Sequence, residues 1–322
     1  MARRATIPRR DVALGWRVLD IVIRLRGTRR RGPSRLWKYV LLAPAVAMVS
    51  LLAVGLVLLL WRSLHTFDPF LYQQGEASLA NYEALLDSPA VGTTFARTFG
   101  MAAATTIVAM LLAVPYAYVL TRTHSRLVRL GLLSAMFFPL MTGDIVRVYG
   151  WLAFLGREGA IAWVSERLGL GTPDILGTLL AVGIGSVQIL MPLCVLVLVP
   201  AFYQIDRELE RAAATLGARP SQVWRAVLLP LAWPGLVGAT VISMAVAANE
   251  FATPAMLGQG LRDYVANLVQ RIVLERDNQY LGSALGVMLL LAVALTVTTI
   301  IAVGQRLGRG VSVARASEGG DA

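Results

Sequence analysis

Six long stretches of the chain are uncharged or nearly so: residues 40–61, 98–120, 130–155, 175–203, 226–249 and 280–305. Each exceeds the ~20 residues that an α-helix needs to cross the hydrocarbon core of a bilayer. The pattern therefore predicts an all-α integral membrane protein with six transmembrane helices. Pro115, Pro139, Pro192 and Pro234 fall inside these stretches. Prolines are tolerated there when neighbouring helices or water satisfy the freed carbonyls, so a kinked bundle with an internal path is expected rather than isolated anchors. Among the polar connections, 62–97 is long and carries Asp68, Glu76, Glu83 and Asp87, while 257–279 holds Gly258 and Gly260 for turns.

One polar connection has a pattern of its own. Residues 206–230 read DRELERAAATLGARPSQVWRAVLLP. Asp206 suits an N-cap, and Glu208 suits the positive end of the helix dipole that follows. Leu209, Ala212, Ala213 and Leu216 recur at i, i+3, i+4 and i+7, a narrow apolar side that a larger body can approach closely. Gly217 fits the left-handed position that ends a helix, and Pro220 fits the first turn of the next. Two short helices joined at a glycine are expected. A DNA-reading helix-turn-helix also favours glycine in its turn, but the flanking apolar spans would hold this one against a bilayer.

Composition agrees with the membrane class: the 322 residues are 57% hydrophobic and 15% charged. The formal charge of +11 would suit nucleic acid, yet the basic residues, all Arg except Lys38, follow topology. Of the 30, 22 fall in the N-terminal segment, the 121–129 connection, the 206–230 hairpin and the C-terminal segment, and seven on the other side. The positive-inside rule then places both termini and the hairpin in the cytosol, and no nucleic-acid partner is expected. Residues 1–38 hold twelve basic residues, too many and too spread for a signal peptide's n-region, and no small-residue cleavage site follows the next apolar run, so the tail should be retained. Arg10, Arg17 and Arg24 share a side with Asp20, which fits either a helix lying on membrane lipid or a disordered basic tail. Residues 39–305 form the membrane domain and 306–322 a cytosolic tail.

Cys194 is the only cysteine, inside an apolar run, and Lys38 lies in no GxxxxGK pattern. His65 and His124 have no second ligand at metal spacing. No nucleophile–base pair appears, so neither catalysis, nor a metal site, nor a cofactor is expected, and ATP chemistry would belong to another chain.

The hairpin's spacing resembles the EAA loop of ABC importer permeases: Ala212-Ala213, three residues, Gly217, nine residues, then Val227, Leu228, Leu229 and Pro230. It departs at the family's Glu position, which holds Arg211, with Glu210 one residue earlier. Leu79-Ala-Asn-Tyr82 and Arg97-Thr98 resemble the segment before the permease core of that family. PLMTGDIVRVYGWLAFLG at 139–156 and EFATPAMLG at 250–258 resemble the third- and fifth-helix motifs of spermidine/putrescine-type permeases, the first of the two in such systems. The resemblance covers about residues 40–305. It implies a type I ABC importer permease fold in a bacterial inner membrane, an ATPase subunit, a second permease and an extracytoplasmic solute-binding protein. It also implies an ATPase-coupling set of Glu210, Arg211, Ala212, Ala213, Gly217 and Pro230. The same subfamily carries other organic cations, amino-acid-like compounds and phosphonates.

A charge at the centre of a membrane helix costs about 2.5–3.5 kcal/mol on insertion scales and is usually functional or paired. Asp144, Arg147 and Glu250 meet that description. Asp144 and Arg147, three apart, either neutralise each other or face a solute; Glu250 has no partner close in sequence and either lies on the path or braces its helix end. Tyr149, Trp151 and Phe154 are helix-packing aromatics or, beside a carboxylate, a cation-π wall for an alkylammonium. The expected path residues are Asp144, Tyr149, Trp151 and Glu250, and the expected solute is a polyamine. The rival classes are an anion-carrying ABC permease, and an ion-coupled transporter or channel. A coupled transporter commonly shows internal repeats and several midplane charges, and a channel has no use for such a hairpin.

Overall fold

The computed structural model describes residues 35–68, 73–261 and 263–318. The expected interfacial helix around Arg10–Arg24 lies outside them. Two compact units divide near Leu58. In the first, the described residues form most of helix α1 (Arg35–Ser63), which contains Pro44.

The second unit holds the remaining elements. They are strands β1 (His65–Asp68) and β2 (Gln73–Ala77), then α2 (Ala80–Leu86), α3 (Pro89–Arg122), α4 (Arg126–Met141), α5 (Asp144–Leu155), α6 (Ala160–Arg167) and α7 (Leu179–Tyr203). After these come α8 (Arg207–Thr215), α9 (Pro220–Val223), α10 (Leu229–Ala248), α11 (Ala252–Leu257), α12 (Val265–Gln270) and α13 (Gln279–Glu318), with π turns at Trp224–Leu228 and Arg271–Glu275.

Among the described residues, five helices are long and apolar enough to span a membrane, or up to six spans if one bent pair counts as a span. That pair corrects the expectation of one continuous helix over 130–155: α4 and the Asp144–Arg167 segment, which holds α5 and α6, meet at 105° across Thr142 and Gly143. Pro139 removes a donor from the last turn of α4. The broken end is satisfied locally, because the Thr142 hydroxyl donates to the Phe138 carbonyl at 2.8 Å and the Arg147 guanidinium to the Pro139 carbonyl at 3.1 Å. α13 runs past Gln305, the expected end of its span. The all-α expectation also misses the antiparallel β1–β2 ribbon in the 62–97 connection.

The ribbon is tied down by the motif around Asn81. The Asn81 amide donates to the carbonyls of Ser63 and His65 at 3.2 and 2.8 Å, and the Tyr82 hydroxyl to Ser63 Oγ at 2.8 Å. Arg97 and Thr98 reach the other way, to the Asp263 carbonyl and the Val265 N–H.

The core lies between α3, α7 and α10. α3 presents a stripe of small buried residues, Thr94, Thr98, Ala102, Thr105, Ala109, Ala113 and Ala117, at spacings of three and four. Small side chains let backbones approach closely, and such packing drives helix association where lipid is as apolar as the protein. The threonines do not disturb it, since Thr94, Thr98 and Thr105 each donate to a carbonyl four residues back. Leu190, Cys194, Leu198 and Phe202 of α7 are fully or almost fully buried in the same core.

Candidate functional site

Two groups of sequence-predicted residues fall at opposite ends of the bundle. At the first end, Asp206 caps α8 as expected, its carboxylate accepting from the Glu208 N–H at 3.0 Å. The helix closes with paired bonds from the Gly217 N–H to the Ala214 carbonyl and from the Ala218 N–H to the Ala213 carbonyl, both 3.0 Å. Gly217 takes φ +84°, and nothing lies within 4 Å of where its Cβ would be, so backbone conformation alone demands glycine. Pro220 starts the second arm, and Gln222 Oε1 accepts from the Arg219 N–H at 2.7 Å. That arm is not a short helix: α9 passes through the π turn directly into α10, one run over Pro220–Ala248. Pro230 therefore lies early in a membrane-spanning helix, beside a groove of about 440 Å³ between α10 and α13.

Glu210 and Arg211 point in different directions. Glu210 turns inward, 2.5 Å from the Arg122 guanidinium and 2.9 Å from the donating Tyr118 hydroxyl. Arg122 also donates to the Ile205 carbonyl at 3.0 Å, and Arg207 to the Thr121 carbonyl at 2.7 Å. Tyr118 packs on Trp224 and Phe202, with ring centroids 4.7 and 6.2 Å apart. The last turn of α3 thereby holds both arms of the hairpin. Arg211 turns outward and pairs with Glu208 at 2.5 Å, both side chains about two-thirds exposed. No residue of α8 is buried: Leu209 and Ala212 are exposed and Ala213 is half-buried, and Leu216 just past its end is exposed. The apolar side expected from the spacing is thus open.

At the other end, α10 stops at Ala248 and Glu250 sits in the gap before α11. Its carboxylate accepts from Ser186 Oγ of α7 at 2.6 Å and from Thr253 Oγ1. Both partners are hydroxyls, one three residues on and the other 64 residues away on α7. The Asn267 amide donates to the Phe251 carbonyl at 3.0 Å and fixes the segment from behind. A Cβ on Gly185 would lie 2.6 Å from Thr253 Cγ2 and 2.8 Å from Leu257 Cδ1, so the glycine permits the contact of α11 with α7.

Asp144 and Glu250 line one cavity of about 550 Å³, together with Ile189, Asn249, Phe251 and Thr253. Asp144 starts α5 and pairs with Arg147 at 2.5 Å, yet its side chain is 75% exposed while that of Arg147 is 7%. Arg147 is held between Asp144 and Pro139 and lines a second cavity of about 400 Å³ with Phe138, Trp151, Phe154 and Gln188. The Trp151 N–H donates to Gln188 Oε1, and its ring meets Phe154 edge-on at 5.8 Å. Tyr149 lines neither cavity and is 60% exposed. Five residues at 100° each carry it roughly 140° around α5 from Asp144. The structure thus joins Asp144 with Glu250, puts Trp151 in the adjoining cavity and leaves Tyr149 apart. Sequence pattern does not single out Ser186 and Gln188, whose only signal is polarity inside the apolar run of α7. Among the described residues, no group of three His, Cys, Asp or Glu is placed to hold a metal ion.

The model for binding-protein-dependent transport system inner membrane components matches residues 90–313. The spermidine/putrescine transport system permease protein PotB of Haemophilus influenzae is 29% identical over 238 residues, covering 73% of this chain and 82% of that one. The molybdenum transport system permease protein ModB of Mycobacterium tuberculosis is 30% identical over 274 residues, covering 85% and 96%. Among solved structures, a bacterial ABC transporter involved in the import of the acidic polysaccharide alginate superposes with a TM-score of 0.68 at 15% identity, over 85% of this chain and 99% of that one. That likeness shows a shared fold. Matched over residues 90–313, the chain belongs to the family of inner membrane components of binding-protein-dependent transport systems.

Proposed function

We propose that this permease subunit of an ABC importer carries a small organic cation, most simply a polyamine. Hydrolysis is supplied by a separate ATPase docked on the 206–230 hairpin. In this reading residues 39–305 form one half of the pore and a second permease the other half. Both termini and the hairpin face the cytosol, and a solute-binding protein delivers to the opposite face. The open, small-residue side of α8, fixed to the end of α3 through Glu210, supports the docking role.

The observation that carries the solute class is the pairing of Asp144 and Glu250 on one cavity, with the exposed Asp144 carboxylate facing it. Ammonium groups suit two carboxylates. An oxyanion reading has a specific support in the ModB likeness and in Arg147 nearby. Arg147, however, is engaged by Asp144 and the Pro139 carbonyl and is almost fully buried.

The test is uptake of labelled spermidine and of labelled molybdate by the assembled transporter. Glu250→Gln preserves shape and removes charge, and it should depress spermidine uptake with assembly intact. Molybdate uptake by the unmodified system with none of spermidine, or full spermidine uptake by Glu250→Gln, would refute the cation reading.

A further inference from the structure

We propose that the hairpin presents a cation where the family motif has a carboxylate, and that the receiving groove of the ATPase carries an acidic side chain opposite Arg211. The inference rests on the docking role proposed above and specifies its chemistry. Two residues compete for the missing carboxylate's role, and the geometry removes one. Glu210 is committed inward to Arg122 and Tyr118, with its side chain 17% exposed. Turning it outward would break that part-buried pair, which is costly because a charge is left uncompensated.

Arg211 has the opposite placement. With Glu208, Ala212 and Thr215 it follows the i, i+3, i+4, i+7 spacing on the side of α8 turned from Arg122, and all four are exposed. Its bond to Glu208 is an exposed i,i+3 pair, a class of contact that contributes little and exchanges readily with solvent. It also engages only one of the guanidinium's five N–H donors, and the planar fork suits a carboxylate bidentately. Among the exposed charged residues of 206–225, Arg211, Arg219 and Arg225 outnumber Glu208 and the helix-capping Asp206. Charge complementarity therefore favours an acidic groove opposite Arg211, with Leu216, 88% exposed just past the end of α8 and about 140° around from Arg211, as a separate apolar contact.

The test measures capture of the cognate ATPase by the full two-permease complex in nanodiscs. Arg211→Glu should weaken capture about tenfold or more, because like charges then face each other across the interface, and Arg211→Lys should retain most of it. The double exchange Glu208→Arg with Arg211→Glu restores the local pair in reverse and should remain as impaired as Arg211→Glu alone. Capture of Arg211→Glu at the wild-type level, or recovery in the double exchange, overturns the acidic-groove inference. Leu216→Asp separates this failure from that of the docking role. If it abolishes capture while Arg211→Glu does not, the hairpin docks without an acidic acceptor. If neither changes capture, the docking role itself fails.

Discussion

Truncating Glu210 should release the hairpin from the bundle without unfolding the bundle. Its carboxylate lies 2.5 Å from Arg122 and accepts from Tyr118 at 2.9 Å, with the charged side chains only 13% and 17% exposed. Removing one partner of a fully buried ion pair costs about 3–5 kcal/mol. Here Arg122 keeps its bond to the Ile205 carbonyl and some access to water, so about 2–3 kcal/mol is the appropriate range for Glu210→Ala. At 1.36 kcal/mol per factor of ten, that raises the detached fraction of α8 roughly 30- to 150-fold. Glu210→Gln can still accept from Tyr118 and should fall about midway in energy. The assay is amide hydrogen exchange of the permease in nanodiscs, which reads local opening directly. Exchange at the hydrogen-bonded amides of α8 should accelerate by that factor while the core of α3 stays protected. Because a detached hairpin no longer moves with the span, ATP hydrolysis should continue while uptake falls. Unchanged exchange over α8 in Glu210→Ala would refute the assignment of Glu210 as the residue that positions the hairpin.

Gly217→Val should insert normally and still uncouple hydrolysis from uptake. Its side chain meets open space, but a β-branched residue at φ +84° is strained by at least the ~1–2 kcal/mol of a left-handed L-residue, so the hairpin must change its turn. Gly185→Val should act at the other end. The added Cβ would press on Thr253 and Leu257 at 2.6 and 2.8 Å and shift α11. An overpacking cost of about 1–3 kcal/mol should appear as a lower melting temperature, with uptake reduced through the lost Thr253 bond to Glu250.

The hairpin is legible in the residues themselves because its chemistry is local. A cap at Asp206, a left-handed glycine at 217 and a first-turn proline at 220 are each dictated by their immediate neighbours. The long uncharged runs likewise announce the spans, because insertion into hydrocarbon depends on composition. The break at Thr142–Gly143 is harder to see: Pro139, Gly143, Asp144 and Arg147 interrupt the run, but a predominantly apolar stretch of that length is compatible with one kinked span as well as with a sharply bent pair. Pro230 invites a boundary, yet the π turn just before it allows the helix to continue. Glu250 looks partnerless in sequence because no opposite charge lies near it: of its two hydroxyl donors, Thr253 is three residues on but neutral, and Ser186 is on another helix. The opposite orientations of Glu210 and Arg211 are equally out of reach, since only the position of Arg122 on α3 decides which of two adjacent residues faces the bundle.

If ATP hydrolysed by a partner at the hairpin drives solute across the pathway at the other end, transport must depend on ATP and on this chain together. Proteoliposomes holding this chain with its second permease and ATPase, with ATP enclosed and the binding protein and labelled spermidine outside, test it in one measurement. Uptake should require enclosed ATP, persist when ion gradients are collapsed and be lost when this chain is omitted. Uptake that continues without ATP and follows an imposed ion gradient would contradict it.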